Sequence, residues 1–218
     1  MPLIKNVEAF LLAGGKSSRM GRDKALLELS GAPMIQRTAD LLAALVAKTT
    51  LVISASQSGN PRDTNATNHY SNFGLPLLVD SWPSFGPLGG IATALANAQS
   101  KWCLILACDM PFLTKEWLTF LLSHSDQTET EAPKQIEVIV PEANRGLEPL
   151  CAIYRASCAP ILAAALDRGV RKVTDALSDL NLHRIPENEW RKFSPDGNLF
   201  GNLNTWQDYL DAQQHLKS

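Results

Sequence analysis

The sequence predicts an α/β fold whose central sheet is mostly parallel and covered by helices on both faces. Three observations predict it. Short apolar runs alternate with stretches of helical periodicity along the 218 residues, the order that threads crossover helices between parallel strands. The chain is 45% hydrophobic and long enough to bury the core such a fold needs. Several apolar runs end on glycine or a carboxylate: Gly14-Gly15, Asp80 and Asp109. In such sheets ligands bind beyond the carboxyl ends of the strands.

Element by element, Val7 to Leu12 is the first strand. Pro33 to Lys48 is helical, because Met34, Ile35, Thr38, Leu41, Leu42, Leu45 and Val46 fall on one stripe at 3.6-residue spacing. Leu51 to Ser54 is a strand. Ser56 to Asn72 is rich in Asn and Ser and reads as loop with one helical turn. Leu75 to Val79 is a strand, Leu88 to Gln99 a helix of small residues, and Trp102 to Ala107 a continuous apolar strand. Thr114 caps a helix carrying Trp117, Leu118, Leu121 and Leu122. Residues 125 to 135 read as an exposed linker. Ile136 to Val140 and Leu150 to Tyr154 are strands, Cys158 to Arg168 and Arg171 to Leu180 are helical, and His183 to Ile185 is a short strand. Thr205 and Asp208 form a capping box for the last helix.

Length and composition fit one domain over residues 1–218. A net charge of −2 without a long basic stripe argues against a nucleic-acid surface and leaves room for a small anionic ligand. Cys103, Cys108, Cys151 and Cys158 form no C-x-x-C pair and read as buried, reduced thiols. No apolar stretch approaches the roughly 20 residues of a membrane span, and the opening MPLIKNVEAFLLAGG does not read as a signal peptide. The expected location is the cytoplasm, with no membrane partner.

The stretch LAGGKSSRMGRDKA, residues 12–25, carries the strongest chemical signal. Gly14 and Gly15 let backbone approach a ligand closely, and successive N–H groups in such a turn attract anions. Lys16, Arg19, Arg22 and Lys24 add positive charge, and Ser17 and Ser18 add donors. This reads as a phosphate cradle. It matches neither the Walker A spacing nor G-x-G-x-x-G. Asp109 in LILACDMPFL follows an apolar strand. One carboxylate there suits Mg²⁺, which fills its shell with water and substrate phosphates; the competing role is a capped turn. Asp80 in VDSWPSFGPLGGI is a candidate base or ribose reader, or a turn former. Its carboxylate can accept from both N1–H and N2–H of guanine. Arg145 and Glu148 in EANRGLEPLCAIYR, and Asn202 and Asn204 in FGNLNTW, are candidates to face a second substrate.

Taken in order, L-A-G-G-K-S-S-R-M-G-R-D-K-A, D-S-x-x-x-x-G-P-L-G-G, C-D-M-P-F, E-P-L-C-A-I-Y-R and F-x-N-x-N-T resemble the molybdenum cofactor guanylyltransferase family across nearly the whole chain. The first motif alone marks the wider nucleotidyltransferase superfamily. The resemblance implies a Rossmann-like three-layer domain that transfers GMP from GTP to the phosphate of molybdenum-molybdopterin, with Mg²⁺ as cofactor. It implies that Leu12, Ala13 and Gly14 contact the nucleotide, that Lys24 binds its phosphates, that Asp80 binds the nucleoside, and that Asp109 holds the nucleotide-bound Mg²⁺; from the cradle itself, Gly15 is read as a further nucleotide contact and Arg19 as a charge that helps Lys24 offset the phosphates. Ser54 stands where the family often has an Asn nucleotide contact, and a hydroxyl is shorter than an amide. Cofactor-donor proteins and acceptor molybdoenzymes are the protein partners this implies. Two alternatives stay open: a related enzyme using CTP or a sugar-phosphate acceptor, and a non-catalytic nucleotide-binding module.

Overall fold

The computed structural model describes residues 3–13, 23–58, 70–127 and 135–216. Gly14, Gly15, Arg19 and the rest of the predicted cradle at 14–22 lie outside the described residues, as do residues 59–69 of the Asn- and Ser-rich stretch.

The strands are β1 (Val7–Leu12), β2 (Glu28–Leu29), β3 (Ala32–Pro33), β4 (Thr49–Ile53), β5 (Leu77–Val79), β6 (Trp102–Ala107), β7 (Val138–Ala143), β8 (Gly146–Leu147), β9 (Cys151–Arg155) and β10 (Leu182–Ile185). The helices are α1 (Met34–Ala43), α2 (Pro87–Ala96), α3 (Lys115–Gln127), α4 (Ala159–Asp167), α5 (Val173–Ala176), α6 (Glu187–Trp190) and α7 (Trp206–His215). The main sheet runs β10-β7-β9-β6-β1-β4-β5, with β8 beside β7 and the β2-β3 pair apart. β1 pairs in parallel with β4 and β6, β4 with β5, and β7 with β10. β9 runs against its neighbours β6 and β7, and the short β8 against β7; the other pairings of this sheet are parallel, so the sheet is mostly parallel as predicted.

Alternation along the strands builds three layers. Val7, Ala9 and Leu11 of β1 join Leu104, Leu106 and Ile153 against α1, α3 and α6, where Ile35, Leu42, Trp117, Leu121 and Trp190 are buried. Phe10 and Leu12 turn the other way, with Ile105, Ala152 and Tyr154, against Leu88, Ile91 and Leu95 of α2 and Leu162 and Leu166 of α4. Successive side chains point to opposite faces of a strand, so one continuous apolar run feeds both cores. The four predicted contacts of α3 are all buried, and Thr114 Oγ1 accepts from the Trp117 amide at 3.2 Å.

Several predicted boundaries moved: α2 ends at Ala96 rather than Gln99, and the helix expected over Arg171 to Leu180 is α5 followed by a 3₁₀ turn. Helix α1 stops at Ala43 rather than Lys48. Leu45 and Val46 stay buried, but Val46 pairs with Ile4 in a parallel bridge and Leu45 O accepts from the Ile4 amide at 2.9 Å, partners that a continuing helix would occupy. The linker predicted from residue 125 begins later. Helix α3 runs to Gln127, and Ser125 is buried with its hydroxyl donating to Leu122 O at 2.7 Å. All four cysteines are free and buried; burial pushes the Cys151 and Cys158 thiols up to about 12, which keeps them protonated.

Candidate functional site

The residues beyond the strand ends form a row along one edge of the sheet. In strand order it reads Asp80 after β5, Ser54 after β4, Ala13 after β1, Asp109 after β6, and Glu148 where the chain turns back into β9. Neighbouring strands lie about 4.8 Å apart, so the four gaps from Asp80 to Glu148 span about 19 Å.

Lys24, Asp109 and Asn204 meet near the centre of the row. Lys24 opens a 3₁₀ turn capped by Asp23, whose Oδ1 accepts from the Ala25 amide at 3.2 Å. Its Nζ donates to Asn204 Oδ1 at 3.2 Å, across 180 residues of chain. Asp109 follows Cys108, whose amide donates to Leu12 O at 3.1 Å. The Asp109 carbonyl accepts from the Leu203 amide at 3.0 Å, tying the Asn202–Asn204 segment to the end of β6. Burial pushes the Asp109 carboxyl above the usual range, and the Lys24 charge only partly offsets this. Among the described residues, then, burial outweighs the Lys24 charge at this carboxylate. The Asn202 side-chain oxygen is buried and makes no hydrogen bond among the described residues, whereas the capping box of α7 holds Asn204: its amide and that of Thr205 donate to Asp208 Oδ2 at 2.8 and 2.7 Å.

The outer positions are held differently. Asp80 Oδ1 accepts from the Trp82 amide at 2.8 Å and from Thr93 Oγ1 at 3.1 Å. The turn is tight: a Cβ on Gly89 would sit 2.6 Å from Trp82 O, and Gly86 enters α2 at φ 65°. One carboxylate oxygen therefore shapes the turn, and Oδ2 is left without a partner among the described residues. Ser54 is committed inward, its amide and hydroxyl both within 2.9 Å of Gln57 Oε1. Arg145 sits exposed at the turn between β7 and β8, and Glu148 follows β8, half-buried. Burial raises the Glu148 carboxyl to about 7, with Arg145 opposing the shift.

The Glu148 shift has a stability consequence. Its folded value lies above its unfolded one, so the folded state binds the proton more tightly, and stability falls as pH rises from about 4.5 toward 7. Glu148→Gln removes the charge. The variant is expected to gain melting temperature over wild type at pH 8 and to lose that gain at pH 5, with a difference of order 2 kcal/mol between the two conditions. Parallel melting curves at both pH values check it; a pH-independent difference would show that Glu148 is solvated.

Three residues of the site have no counterpart among the predicted ones. Gln57 Nε2 lies 2.8 Å from Asp23 Oδ2, 2.7 Å from Tyr70 Oη and 3.2 Å from Ala13 O, and the Tyr70 hydroxyl donates to Asp23 Oδ2. The available signals were faint: an Asp directly before Lys24, and a lone tyrosine in a polar stretch.

Residues 9–181 match the family described as MobA-like NTP transferase domain. A protein of Clostridium perfringens named "probable molybdenum cofactor guanylyltransferase" is 32% identical over 206 residues, covering 93% of this chain and 94% of its own. One of the same name from a Nostoc species is 35% identical over 170 residues, covering 77% of this chain and 75% of its own. Among solved structures, the molybdopterin-guanine dinucleotide biosynthesis protein A of Archaeoglobus fulgidus superposes with a TM-score of 0.79 at 26% identity, covering 96% of this chain and 98% of its own. The 2-C-methyl-D-erythritol 4-phosphate cytidylyltransferase of Thermus thermophilus shares the fold, with a TM-score of 0.63 at 11% identity.

Proposed function

The chain belongs to the MobA-like NTP transferase domain family, and from that membership we propose that it transfers GMP from GTP to the phosphate of molybdenum-molybdopterin, releasing pyrophosphate. The observation that carries this reading is the convergence of Lys24, Asp109 and Asn204 at the carboxyl edge of a mostly parallel sheet. The names of the relatives supply the substrates.

The chemistry asks little of a base. A phosphate monoester is already anionic near pH 7, so its oxygen attacks the α-phosphorus directly. An O–P bond forms to the α-phosphorus, the bond from that phosphorus to the α,β-bridging oxygen breaks, and pyrophosphate leaves with the electron pair. The barrier is repulsion between two polyanions, so positioning and charge neutralisation must supply the rate. Lys24 holds its ammonium beside Asp109 and is oriented by Asn204. Arg145, Glu148, Asn202 and Asn204 face the acceptor half of the row. Leu12, Ala13 and Asp80 face the nucleotide half, to which Gly14, Gly15 and Arg19 would contribute from outside the described residues.

Mg²⁺ fits the donors present. Among the described residues no group of three or more His, Cys, Asp and Glu could cage a metal, and Mg²⁺ needs only one or two carboxylates when phosphates and water complete its shell. The desolvated Asp109 carboxylate, undercompensated by Lys24, would hold it. Once bound, it would neutralise charge on the phosphates. Delivery of the product to molybdoenzymes, and a cytoplasmic location, belong to the same proposal; no helix among the described residues is long and apolar enough to cross a membrane.

The base is the sharpest test. Pyrophosphate release with acceptor and Mg²⁺, measured for GTP, CTP, ATP and UTP, is expected to favour GTP. Asp80→Ala is expected to weaken GTP more than tenfold, because hydrogen bonds to a charged group contribute about 1.5–3 kcal/mol each, while CTP changes little. Equal weakening of all four nucleotides would assign Asp80 to the ribose, an unchanged ratio with lower stability would leave it a turn former, and a wild-type preference for CTP would replace the guanine reading with cytidylyl transfer.

A further inference from the structure

We infer that the Gln57 side chain, with Tyr70 and Asp23, is the positioning device that sets Lys24 against Asp109. This deepens the reading of the site given above and rests on it. The geometry is that of a three-way tie. One amide nitrogen reaches the last residue of the β1 end (Ala13 O, 3.2 Å), the residue before Lys24 (Asp23 Oδ2, 2.8 Å) and a buried phenol (Tyr70 Oη, 2.7 Å). The phenol donates to the same Asp23 oxygen. Burial and the Asp23 carboxylate push the Tyr70 hydroxyl far above its usual range, so it stays a donor. The other Asp23 oxygen caps the turn that begins with Lys24. At its far end the Gln57 amide oxygen is fixed by Ser54, which anchors the tie to β4.

A lysine side chain carries four rotatable carbons and about 2 kcal/mol of rotamer freedom. Fixing its backbone from both the β1 and β4 ends is what a catalytic ammonium on so flexible a stem requires. Gln57 supplies only an amide and no charge, so its contribution to rate passes through Lys24. That makes the effect separable from simple loss of stability.

The test is a double-mutant cycle with pyrophosphate release at a temperature where every variant is folded by circular dichroism. Gln57→Ala is expected to lower kcat by about 10- to 100-fold, the cost of roughly 1 Å of misplacement. In a Lys24→Ala background it should cost less than about twofold, because coupled residues are not additive. Tyr70→Phe keeps the ring and should show a smaller loss with the same dependence on Lys24; it replaces Gln57→Ala in the cycle if that variant does not fold. Equal fold losses in both backgrounds would overturn the proposal. A second readout does not depend on the reaction: the NMR signal of the Lys24 Nζ-bearing carbon, assigned by its disappearance in Lys24→Ala, should move in Gln57→Ala and in Tyr70→Phe while that of Lys48 stays put. A wild-type protein that releases no pyrophosphate from GTP would sink the guanylyl reading, and the positioning role would then stand or fall on the Lys24 signal alone.

Discussion

Asp109→Asn is expected to lower pyrophosphate release by about 10²–10³-fold, the range seen when one preorganised charge-stabilising group is lost at a reacting centre, and to do so in a protein at least as stable as wild type. Both halves follow from the same observation. Asp109 sits at the end of β6, where burial raises its carboxyl and Lys24 compensates it incompletely. Because its folded value lies above its unfolded one, this carboxyl favours folding most below the unfolded value. The advantage is lost as pH rises through the folded value. At pH 8 wild type bears a desolvated negative charge that asparagine does not. A functional carboxylate that burdens the fold is the usual trade between activity and stability. Steady-state turnover and thermal melts at pH 8 on the same preparation decide it. Near-wild-type turnover would remove Asp109 from the metal assignment, and a fall in melting temperature would mean that the carboxylate is held by neighbours rather than left for a cation.

Much of the fold was legible because the residues that make it are local. Val7–Leu12 and Trp102–Ala107 are continuous apolar runs stopped by polar or glycine residues, and both strands carry the predicted bounds. The capping box at Thr205 and Asp208 is written within four residues and forms as written. Failures occurred where a distant partner outweighs the local pattern. The apolar stripe through Leu45 and Val46 continues the period of α1, yet these residues pair with Ile4 instead of extending the helix. Nothing in CAIYR distinguishes a parallel strand from an antiparallel one, and the reversed direction of β9 comes from its pairing with β6 and β7.

The candidate site divides in the same way. Lys24, Asp80 and Asp109 stand beside motif residues or strand ends and were nameable from spacing. That Lys24 reaches Asn204 could not be read, since the two are joined only after the whole sheet is assembled. Gln57 and Tyr70 stand 34 and 47 residues from Asp23, inside a stretch whose composition reads as loop. A polar residue in such a stretch declares its role only when its hydrogen-bond partners arrive. Ser54 adds a role its position after β4 did not suggest: its amide and hydroxyl both reach the Gln57 side-chain oxygen.

Lys24→Ala is expected to reduce turnover by about 10²–10³-fold, and Lys24→Arg to recover only part of the loss. The distinction is geometric. The lysine ammonium is a compact charge that donates to Asn204 Oδ1 at 3.2 Å while lying close enough to Asp109 to oppose the rise of its carboxyl. Guanidinium keeps the charge but spreads it over a planar fork with fixed donor directions, so it can meet Asn204 or the phosphates with its charge centre displaced from where the ammonium sits. If net charge alone mattered, arginine would restore the rate fully; if only the contact with Asn204 mattered, the loss in both variants would track nucleotide affinity and leave kcat unchanged. The expected pattern lies between these: nucleotide affinity restored in Lys24→Arg, kcat still at least tenfold below wild type, because the developing charge is met from the wrong place. Single-turnover rates with saturating nucleotide, set beside binding isotherms for both variants, separate the two quantities. Full activity in both would make Lys24 a surface lysine held by an asparagine, and would take the proposed phosphate contact away from it.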